Sequence, residues 1–512
     1  MIFTSFEFLV FFVVLAAAYF LSPARLGWLV LLVGSFLFYG WHNPSLLPFL
    51  LLPALATYFL ALQITRGGPA PPGKRFLILG IGFASLGLVI FKYADFIGFS
   101  LFRLGSLFVK NLHYEPLNLL LPIGISFYTF RMISYLVDVY RGKLPAEKHA
   151  GYFLLYVSFF PQLLAGPIER AVQLLPELKK KAPFDLQRVC DGGKLIAWGL
   201  LKKLVIADRL AVVVDAVYGN VRAQSGPMLL IATLSFAIQI YCDFSAYSDM
   251  ANGLSHMLGF KPIENVRAPY LSTSISDFRT RWHITFSSWL RDYLFLPITY
   301  AVMRRIKGER FLGVQAATWG YLPGVLFTML LAGLWHGASW AMVAWGFWHG
   351  LFLMASHLSR GVRKRIVRLS GIRRAPILHR GIRVISTFIL VSFAWIFFRA
   401  NTLSDAFYVI SHIFRGTFSF AGKVAGRWVF STDANPLVDF HKIMKLEPYQ
   451  FFVLAVAVLI LMAVDRQSER GDFWVRLKTK PVWVRFLLYY LLVMGIFLFS
   501  ALKSGPFIYF KF

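Results

Sequence analysis

Thirteen long apolar runs dominate this sequence of 512 residues and leave few folds open to it. Spanning a bilayer takes about 20 mainly apolar residues. Of all residues, 58% are hydrophobic and only 15% are charged, whereas soluble domains are about 25% charged. The candidate spans are residues 3–21, 26–41, 46–64, 76–94, 119–139, 150–166, 192–217, 228–248, 321–340, 341–358, 384–399, 450–464 and 486–502. The sequence therefore predicts an all-α polytopic membrane protein.

Some of these runs are too short, or too rich in Gly and Pro, to be simple crossings. Examples are "LPIGISFYTF" (121–130) and "FFPQLLAGPIER" (159–170). Broken helices at membrane depth are tolerated only where they face protein or a water-filled cavity. We therefore expect about eleven transmembrane helices plus re-entrant or interfacial helices, the latter including the Trp- and Arg-rich segment 277–295. We predict one transmembrane domain over residues 1–512, with its motifs in 119–358 and its C-terminal helices and tail in 384–512.

The charge balance is strongly basic, with 53 Lys and Arg against 24 Asp and Glu, a net charge of +29. On a soluble protein this would indicate nucleic acid. Here the basic residues cluster in loops between apolar spans, which is typical of cytoplasmic orientation signals and lipid-headgroup contacts. The loop 360–383 has nine basic residues and no acidic one, so we assign it to the cytoplasm. Counting spans from this loop predicts that both termini are extracytoplasmic.

Ionisable residues within apolar runs are the candidates for chemistry, because each costs about 2.5–3.5 kcal/mol to insert. Asp243, Asp249, His283, His336 and His349 meet this criterion. For a single buried histidine, packing with one hydrogen bond is the commoner role. The sequence has no serine-nucleophile or phosphate-loop motif, no His-x-x-x-His and no acidic residue between positions 312 and 352. We therefore predict no metal site and no tightly bound cofactor.

Two of these histidines, His336 and His349, lie in the segment "LLAGLWHGASWAMVAWGFWHGLF" (330–352), each within a Trp-His-Gly triplet. On one continuous helix, 13 residues separate them by about 20 Å and about 220°, too far to share a small site. Gly333 and Gly337 flank His336 and allow a helix break there. An imidazole in apolar surroundings stays neutral and can accept a proton. We therefore predict that His336 is a catalytic base and that His349 packs.

Five ordered stretches resemble the membrane-bound O-acyltransferase family. They are "LPIGISFYTFRMISYLVDVYRG" (121–142), "FPQLLAGPIER" (160–170), "QIYCDFSAYSDMANGLSHMLGF" (239–260), "FRTRWHITFSSWLRDYLF" (278–295) and "LLAGLWHGASWAMVAWGFWHG" (330–350). They are most similar to the bacterial branch that acts in alginate and peptidoglycan O-acetylation and in teichoic-acid D-alanylation. One departure is Ala246, where the family often has glycine. The resemblance covers most of residues 1–400.

The resemblance implies a ring of helices around a central funnel, with His336 as the essential histidine and His283 as its partner. It implies an O-acyltransferase of the bacterial cytoplasmic membrane. Such an enzyme moves an acyl group, most often acetyl, from a cytoplasmic thioester to an extracytoplasmic polysaccharide. The donor would be acetyl-coenzyme A or an acyl-carrier protein, and the partner a secreted or membrane-anchored serine-esterase-like acetyltransferase. The residues alone leave two alternatives open, a transporter and a non-catalytic scaffold for polysaccharide export.

Two further sets of residues complete the sequence-based expectations. A basic group near the cytoplasmic face suits an anionic donor, although lipid contact is equally consistent for each member: Lys261, Arg267, Arg279, Arg281 and Arg291. The chain ends "GPFIYFKF", which resembles the C-terminal aromatic motif of a small partner in teichoic-acid D-alanylation. That resemblance implies that Tyr509 carries the acyl group covalently, and the alternative is interfacial anchoring by an aromatic belt.

Overall fold

The computed structural model describes residues 1–67, 71–306, 308–416, 448–469, 471, 473–501 and 505–508. These residues are mostly helical, which confirms the predicted all-α class. Within them the strands are β1 (Arg310–Phe311) and β2 (Val314–Gln315), which pair as a short antiparallel hairpin. Seven helical stretches of the described chain are long and apolar enough to cross a membrane. The sequence-based count of about eleven crossings stays a prediction.

Most helices before residue 220 overlap the predicted apolar runs, but the helix Ala171–Leu178 lies outside them. These helices are α1 (Phe6–Leu21), α2 (Gly27–Gly40), α3 (Leu47–Gly67), α4 (Pro71–Leu88), α5 (Ala94–Gly105), α6 (Ile125–Tyr140), α7 (Ala150–Ser158), α8 (Phe160–Leu163), α9 (Ala171–Leu178), α10 (Leu186–Leu200) and α11 (Asp208–Tyr218). A π-helical turn, Leu201–Ala207, joins α10 to α11. Such turns are frequent at functional sites, because the wider backbone ring changes the direction of side chains.

The helices after residue 220 carry or flank the predicted histidines. They are α12 (Gly226–Met257), α13 (Ile275–Arg281), α14 (Ile284–Leu290), α15 (Leu296–Met303), α16 (Ala316–His336), α17 (Trp340–Leu358), α18 (Arg360–Leu369), α19 (Pro376–Arg399), α20 (Leu403–His412), α21 (Pro448–Ser468), α22 (Phe473–Lys478) and α23 (Val482–Phe499). Short helices occupy the segment 277–295, as its mixed polarity predicts.

The chain divides into two compact units. The first unit contains residues 1–196 and 248–263, and the second contains residues 197–247 and 264–508. The prediction of one transmembrane domain over the whole chain stays a prediction.

In the first unit, two of the Gly- and Pro-rich stretches meet where helices were expected to break. Gly124 has a φ of +77°, and a Cβ there would lie 2.8 Å from the Leu163 carbonyl oxygen, so only glycine fits this crossing. Arg131, which is buried, donates a hydrogen bond to the Gln162 side chain at 2.6 Å, and Gln162 donates to Glu169 at 2.7 Å. Burial raises the pKa of the Glu169 carboxyl to about 7. The expected helix interruptions are confirmed, and the buried hydrogen bonds from Arg131 through Gln162 to Glu169 stabilise them.

In the second unit, α16 and α17 form an antiparallel hairpin that carries His336 and His349. The helix α19 packs against α17 and contributes Trp395 and Phe398, both fully buried, to an aromatic core around this hairpin. This core fixes the two histidine-bearing helices relative to the shorter helices α13 and α14.

Candidate active site

A tight turn between α16 and α17 follows directly after His336. Helix α16 ends at His336, Gly337 is extended with a φ of −167°, and the Ser339 hydroxyl accepts a hydrogen bond from the Met342 amide at 3.3 Å to cap α17. The helix break expected at His336 is confirmed. The buried imidazole therefore lies at the last position of a helix. An extended φ is open to any residue, so the turn does not itself require a glycine at 337.

Two other glycines allow α16 and α17 to touch backbone to backbone. A Cβ on Gly333 would lie 2.2 Å from the Met342 carbonyl oxygen, and one on Gly346 would lie 2.1 Å from the Met329 carbonyl oxygen. From the sequence, Gly333 is expected to allow the helix break at His336. The structure instead places it inside α16, three residues before His336, where it sets the distance between the two helices.

His283 joins α13 to α14 through a left-handed backbone conformation, with a φ of +44°. A non-glycine residue pays of order 1–3 kcal/mol for such a conformation, so the surroundings must hold it. Asn265 does so: its carbonyl oxygen accepts a hydrogen bond from the Ile284 amide at 2.8 Å. Its side-chain oxygen accepts from the Thr285 amide and hydroxyl at 3.3 and 2.8 Å. The direction of the imidazole is thereby fixed.

The electrostatic state of His283 follows from its complete burial. Burial lowers the pKa of this imidazole from 6.5 to about 3, because the charged form loses its hydration. His283 is therefore neutral across the physiological pH range. A neutral imidazole can accept a hydrogen bond or a proton on one nitrogen and donate from the other.

A small, partly open cavity in the second unit brings the three candidate histidines together. It is lined by Phe278, Arg279, Trp282, His283, Phe286, Ser287, Leu290, Met329, Ala332, His336, Trp345 and His349. His336 and His283, which were predicted to act as partners, both line this cavity, and their pairing in catalysis stays a prediction. Most of the lining is aromatic or aliphatic, so the few polar groups act in a largely apolar setting.

Aromatic rings hold the imidazoles in this cavity. The ring centroid of Phe286 lies 5.0 Å from that of His283 and 5.8 Å from that of His336. On the other side, the Trp345 centroid lies 4.9 Å from His336 and 4.7 Å from His349. Rigid rings with few rotamers restrict the positions of these side chains.

The position of His349 differs from that expected for one continuous helix. Because the chain turns back after His336, the two histidines lie on facing helices and line the same cavity. His349 is fully buried, and neither of its ring nitrogens has a hydrogen-bond partner among the described residues. Its expected role in packing stays a prediction.

The predicted donor-binding residues have different surroundings. Arg279 lines the cavity, whereas Arg281 pairs with Asp277 and Glu469, at 2.8 Å each. Arg291 is exposed and pairs with Asp292 at 2.8 Å. Lys261 is exposed and belongs to the first unit, while the arginines belong to the second. Of this group, Arg279 is the cation that the cavity itself contains.

Asp243 lies in a buried ionic cluster whose other members are not among the residues predicted from sequence. The Lys203 ammonium lies 2.8 Å from both Asp243 and Asp208, and all three side chains are buried. The signal was present, because Lys203 and Asp208 fall inside the apolar run 192–217. Asp249 is half-buried and belongs to the first unit. We name Lys203, Asp208 and Asp243 the ionic cluster.

Residues close to the C-terminus contact this cluster. The Ile508 amide donates a hydrogen bond to Asp243 at 2.7 Å, and the Phe507 ring centroid lies 4.6 Å from the Lys203 ammonium. Phe507 and Ile508 are both buried. Tyr509, the predicted carrier, lies outside the described residues.

Other residues of the site were missed because their roles depend on tertiary contacts. Asn265, Phe286 and Trp345 have no distinguishing motif of their own, yet they hold His283 and His336 in place. In the described part of the chain, no group of three or more His, Cys, Asp or Glu side chains could hold a metal ion. What the cavity offers chemically is imidazole groups that can take part in proton transfer beside one cation, Arg279.

Comparison with known proteins identifies relatives of this chain. Residues 147–400 match the family model described as MBOAT, membrane-bound O-acyltransferase family. The chain is 34% identical over its full length, and over the relative's full length, to a probable alginate O-acetylase AlgI of Pseudomonas putida. It is 30% identical to a peptidoglycan O-acetyltransferase of Helicobacter pylori, over 95% of this chain and 91% of the relative. It is 26% identical to a teichoic acid D-alanyltransferase of Bacillus subtilis, over 44% of this chain and 56% of the relative.

Proposed function

This chain belongs to the membrane-bound O-acyltransferase family, and from that premise we propose that it moves an acyl group from a cytoplasmic thioester across the membrane for O-acylation of an extracytoplasmic polysaccharide. The proposal rests on one observation above all: His336 and His283 line a single, largely apolar cavity. The chain is a multi-pass membrane acyltransferase. We propose that the acyl group is acetyl, since two relatives that match most of this chain are named for O-acetylation.

His336 acts as the general base in this proposal. The attacking hydroxyl gives its proton to the His336 imidazole as its oxygen bonds to the thioester carbonyl carbon. The carbon–sulfur bond then breaks, and the leaving thiolate takes the proton from the imidazolium, so that one ester and one free thiol are formed. Such base catalysis contributes about 10²–10⁴-fold. His283, neutral and fixed by Asn265, orients the thioester or its partner imidazole.

In this proposal the side chain of Tyr509 provides the attacking hydroxyl group. A phenol has a pKa of about 10, so it needs a base to become a good nucleophile at neutral pH. The burial of Phe507 and Ile508 supports this role, because it holds the preceding residues inside the protein. A secreted or membrane-anchored serine-esterase-like acetyltransferase then moves the acyl group from tyrosine to a polysaccharide hydroxyl and regenerates the phenol. The alternative, an aromatic anchor in the interface, requires no hydroxyl.

The topology that we propose places the donor and acceptor on opposite sides. About eleven helices cross the bacterial cytoplasmic membrane around a central funnel, and both termini are extracytoplasmic. The donor, acetyl-coenzyme A or an acyl-carrier protein, approaches from the cytoplasm. Basic residues attract it there, with Arg279 reaching into the cavity.

The experiment compares polymer-bound ester in cells lacking the endogenous protein and supplied with wild type, His336→Gln or Tyr509→Phe at equal membrane levels. We expect almost no acylation with either variant. Normal acylation with Tyr509→Phe would reduce the tail to an anchor. Normal acylation with His336→Gln would favour a scaffold or transporter whose histidines are structural.

A further inference from the structure

Building on the proposed carrier function, we propose that the ionic cluster Lys203, Asp208 and Asp243 is a docking site for the C-terminal tail and positions the segment that carries Tyr509. These three are positioning residues, since they act on the tail and not on the acyl group. The occupant is residues 505–508 of this same chain.

The cluster contacts three residues of the tail. Asp243 accepts a hydrogen bond from the Ile508 amide at 2.7 Å, and the Lys203 ammonium lies over the Phe507 ring at 4.6 Å. The backbone of Gly505 lies beside Asp208. Hydrogen bonds to a charged acceptor and cation–π contacts are both strengthened when water is excluded. The tail is thus held through its backbone and an aromatic ring.

A purely structural role explains the cluster less well. Burying three charges is costly, and well-packed apolar residues often serve stability equally well or better. The end of α23 is already fixed without the cluster: the Arg209 guanidinium donates two hydrogen bonds to the Phe499 carbonyl, and the Ala501 amide donates to the Leu204 carbonyl at 3.0 Å. The cluster therefore serves the residues that follow, which are those next to the proposed carrier.

The docking site is connected to the histidine cavity through one turn of α12. Asp243 holds Ile508, and Tyr247, one turn later, packs edge-on against Phe507 at 5.1 Å. Between them, the ring centroid of Phe244 lies 4.6 Å from that of His283. Because Tyr509 directly follows Ile508 in the sequence, docking of Ile508 at Asp243 limits how far the proposed carrier can move from this turn of α12.

The test measures docking and carrier chemistry separately. Docking is read from the maleimide-labelling rate of Ile508→Cys in a protein whose two cysteines are replaced, Cys190→Ser and Cys242→Ala. This substitution keeps the backbone amide that Asp243 accepts. We expect Asp243→Ala to speed labelling by about ten- to a hundred-fold, the value of one hydrogen bond to a charged group. Asp243→Asn, which retains an acceptor oxygen, should restore most of the protection.

Carrier chemistry is read from the acyl adduct on the C-terminal peptide of the membrane-embedded protein, supplied with acetyl-coenzyme A. Asp243→Ala should lower this adduct by a factor similar to the gain in labelling. Phe507→Ala weakens the same dock from the tail side and leaves the cluster intact, which guards against misfolding of Asp243→Ala. Tyr241→Phe is the matched control, since it removes a buried hydroxyl of the same helix that donates to the Asp465 carboxylate at 2.8 Å.

The labelling rates test the docking site, and the amount of adduct tests the positioning role and the carrier function. Slow labelling in both Asp243→Ala and Phe507→Ala would overturn the docking site. Fast labelling with an undiminished adduct would overturn its positioning role. The absence of an adduct in wild type would refute the carrier function, and with it the positioning role, while the labelling rates would still decide whether the cluster docks the tail.

Discussion

Replacing Gly333 with alanine should damage catalysis without touching any histidine. Gly333 lies in α16, one turn before His336, at the crossing with α17. The added Cβ would lie 2.2 Å from the Met342 carbonyl oxygen and 3.1 Å from the Gly346 amide nitrogen. Both neighbours are backbone atoms of a helix, so they cannot rotate away as a side chain would. The two helices must therefore separate.

The size of this effect follows from the clash. Restoring ordinary van der Waals contact requires a movement of about 1 Å. His336 is on α16 and Trp345 and His349 are on α17, so the same movement displaces them relative to one another. A displacement of about 1 Å in a catalytic group costs about 10²-fold in rate. Overpacking costs about 1–3 kcal/mol of stability, partly offset by the better helix propensity of alanine, about 1 kcal/mol.

The assay compares Gly333→Ala with Gly381→Ala for polymer-bound ester and for thermal stability in detergent. Gly381 is also helical and belongs to the same unit, but a Cβ there meets no atom of the described residues within 4 Å. We expect about 1% of wild-type activity for Gly333→Ala at near-normal membrane levels, and full activity for Gly381→Ala. Near-normal activity in Gly333→Ala would refute the claim that the helix crossing positions His336.

Three further predictions concern the cavity and its surroundings. His283→Gln should lower acylation without abolishing it. The imidazole of His283 has a pKa of about 3 in the folded protein and about 6.5 in the unfolded protein, so the unfolded state binds a proton as the pH falls and the folded state does not. The free energy of unfolding of wild type, measured in detergent, should therefore fall by about 2 kcal/mol between pH 7.5 and pH 5 because of this group, and that of His283→Gln should not. An equal fall in both proteins would contradict a neutral imidazole. His349→Ala should act mainly through stability, and a stable but inactive variant would give His349 a chemical role. A variant in which several basic residues are replaced by Gln should use the donor less well, and the loss should be greatest at low ionic strength. An unchanged dependence of activity on donor concentration would refute donor binding at these residues. The residues are Lys261, Arg267, Arg279, Arg281 and Arg291.

The sequence predicted those features that depend on local composition. Apolar runs fix where helices form, because backbone groups in lipid must bond within the segment. Proline and glycine in 121–130 and 159–170 predicted the interruptions at Gly124 and around Phe159. The turn after His336 was predicted in the same way. The helix class and the break therefore needed no tertiary information.

Tertiary contacts account for what the sequence did not predict. Spacing along one helix separated His349 from His336, whereas the hairpin brings both to one cavity. Gly333 serves a helix crossing and not a turn, which depends on the partner helix. Asn265 holds His283 from a position 18 residues earlier, through the backbone of the following residues. No periodic pattern encodes such pairings, because each depends on how separate helices meet.

The ionic cluster illustrates a signal that was present but not used. Lys203 and Asp208 lie within an apolar run, where any charge is expensive and needs a partner. Their partner, Asp243, is 40 residues from Lys203, on another helix. The sequence shows that these charges lie within an apolar run and need partners. It does not show which residues are the partners, because the contacts with Asp243 and Ile508 depend on how α12 and the tail pack.

The central claim is that His336 drives transfer of an acyl group from a thioester to the chain's own tyrosine. The most direct test embeds wild type, His336→Gln and Tyr509→Phe in vesicles, adds acetyl-coenzyme A labelled in the acetyl group, and measures label on the C-terminal peptide by mass spectrometry. We predict label at Tyr509 in wild type, less than a few per cent of that amount in His336→Gln, and none in Tyr509→Phe. Labelling of His336→Gln at the wild-type rate would contradict the account.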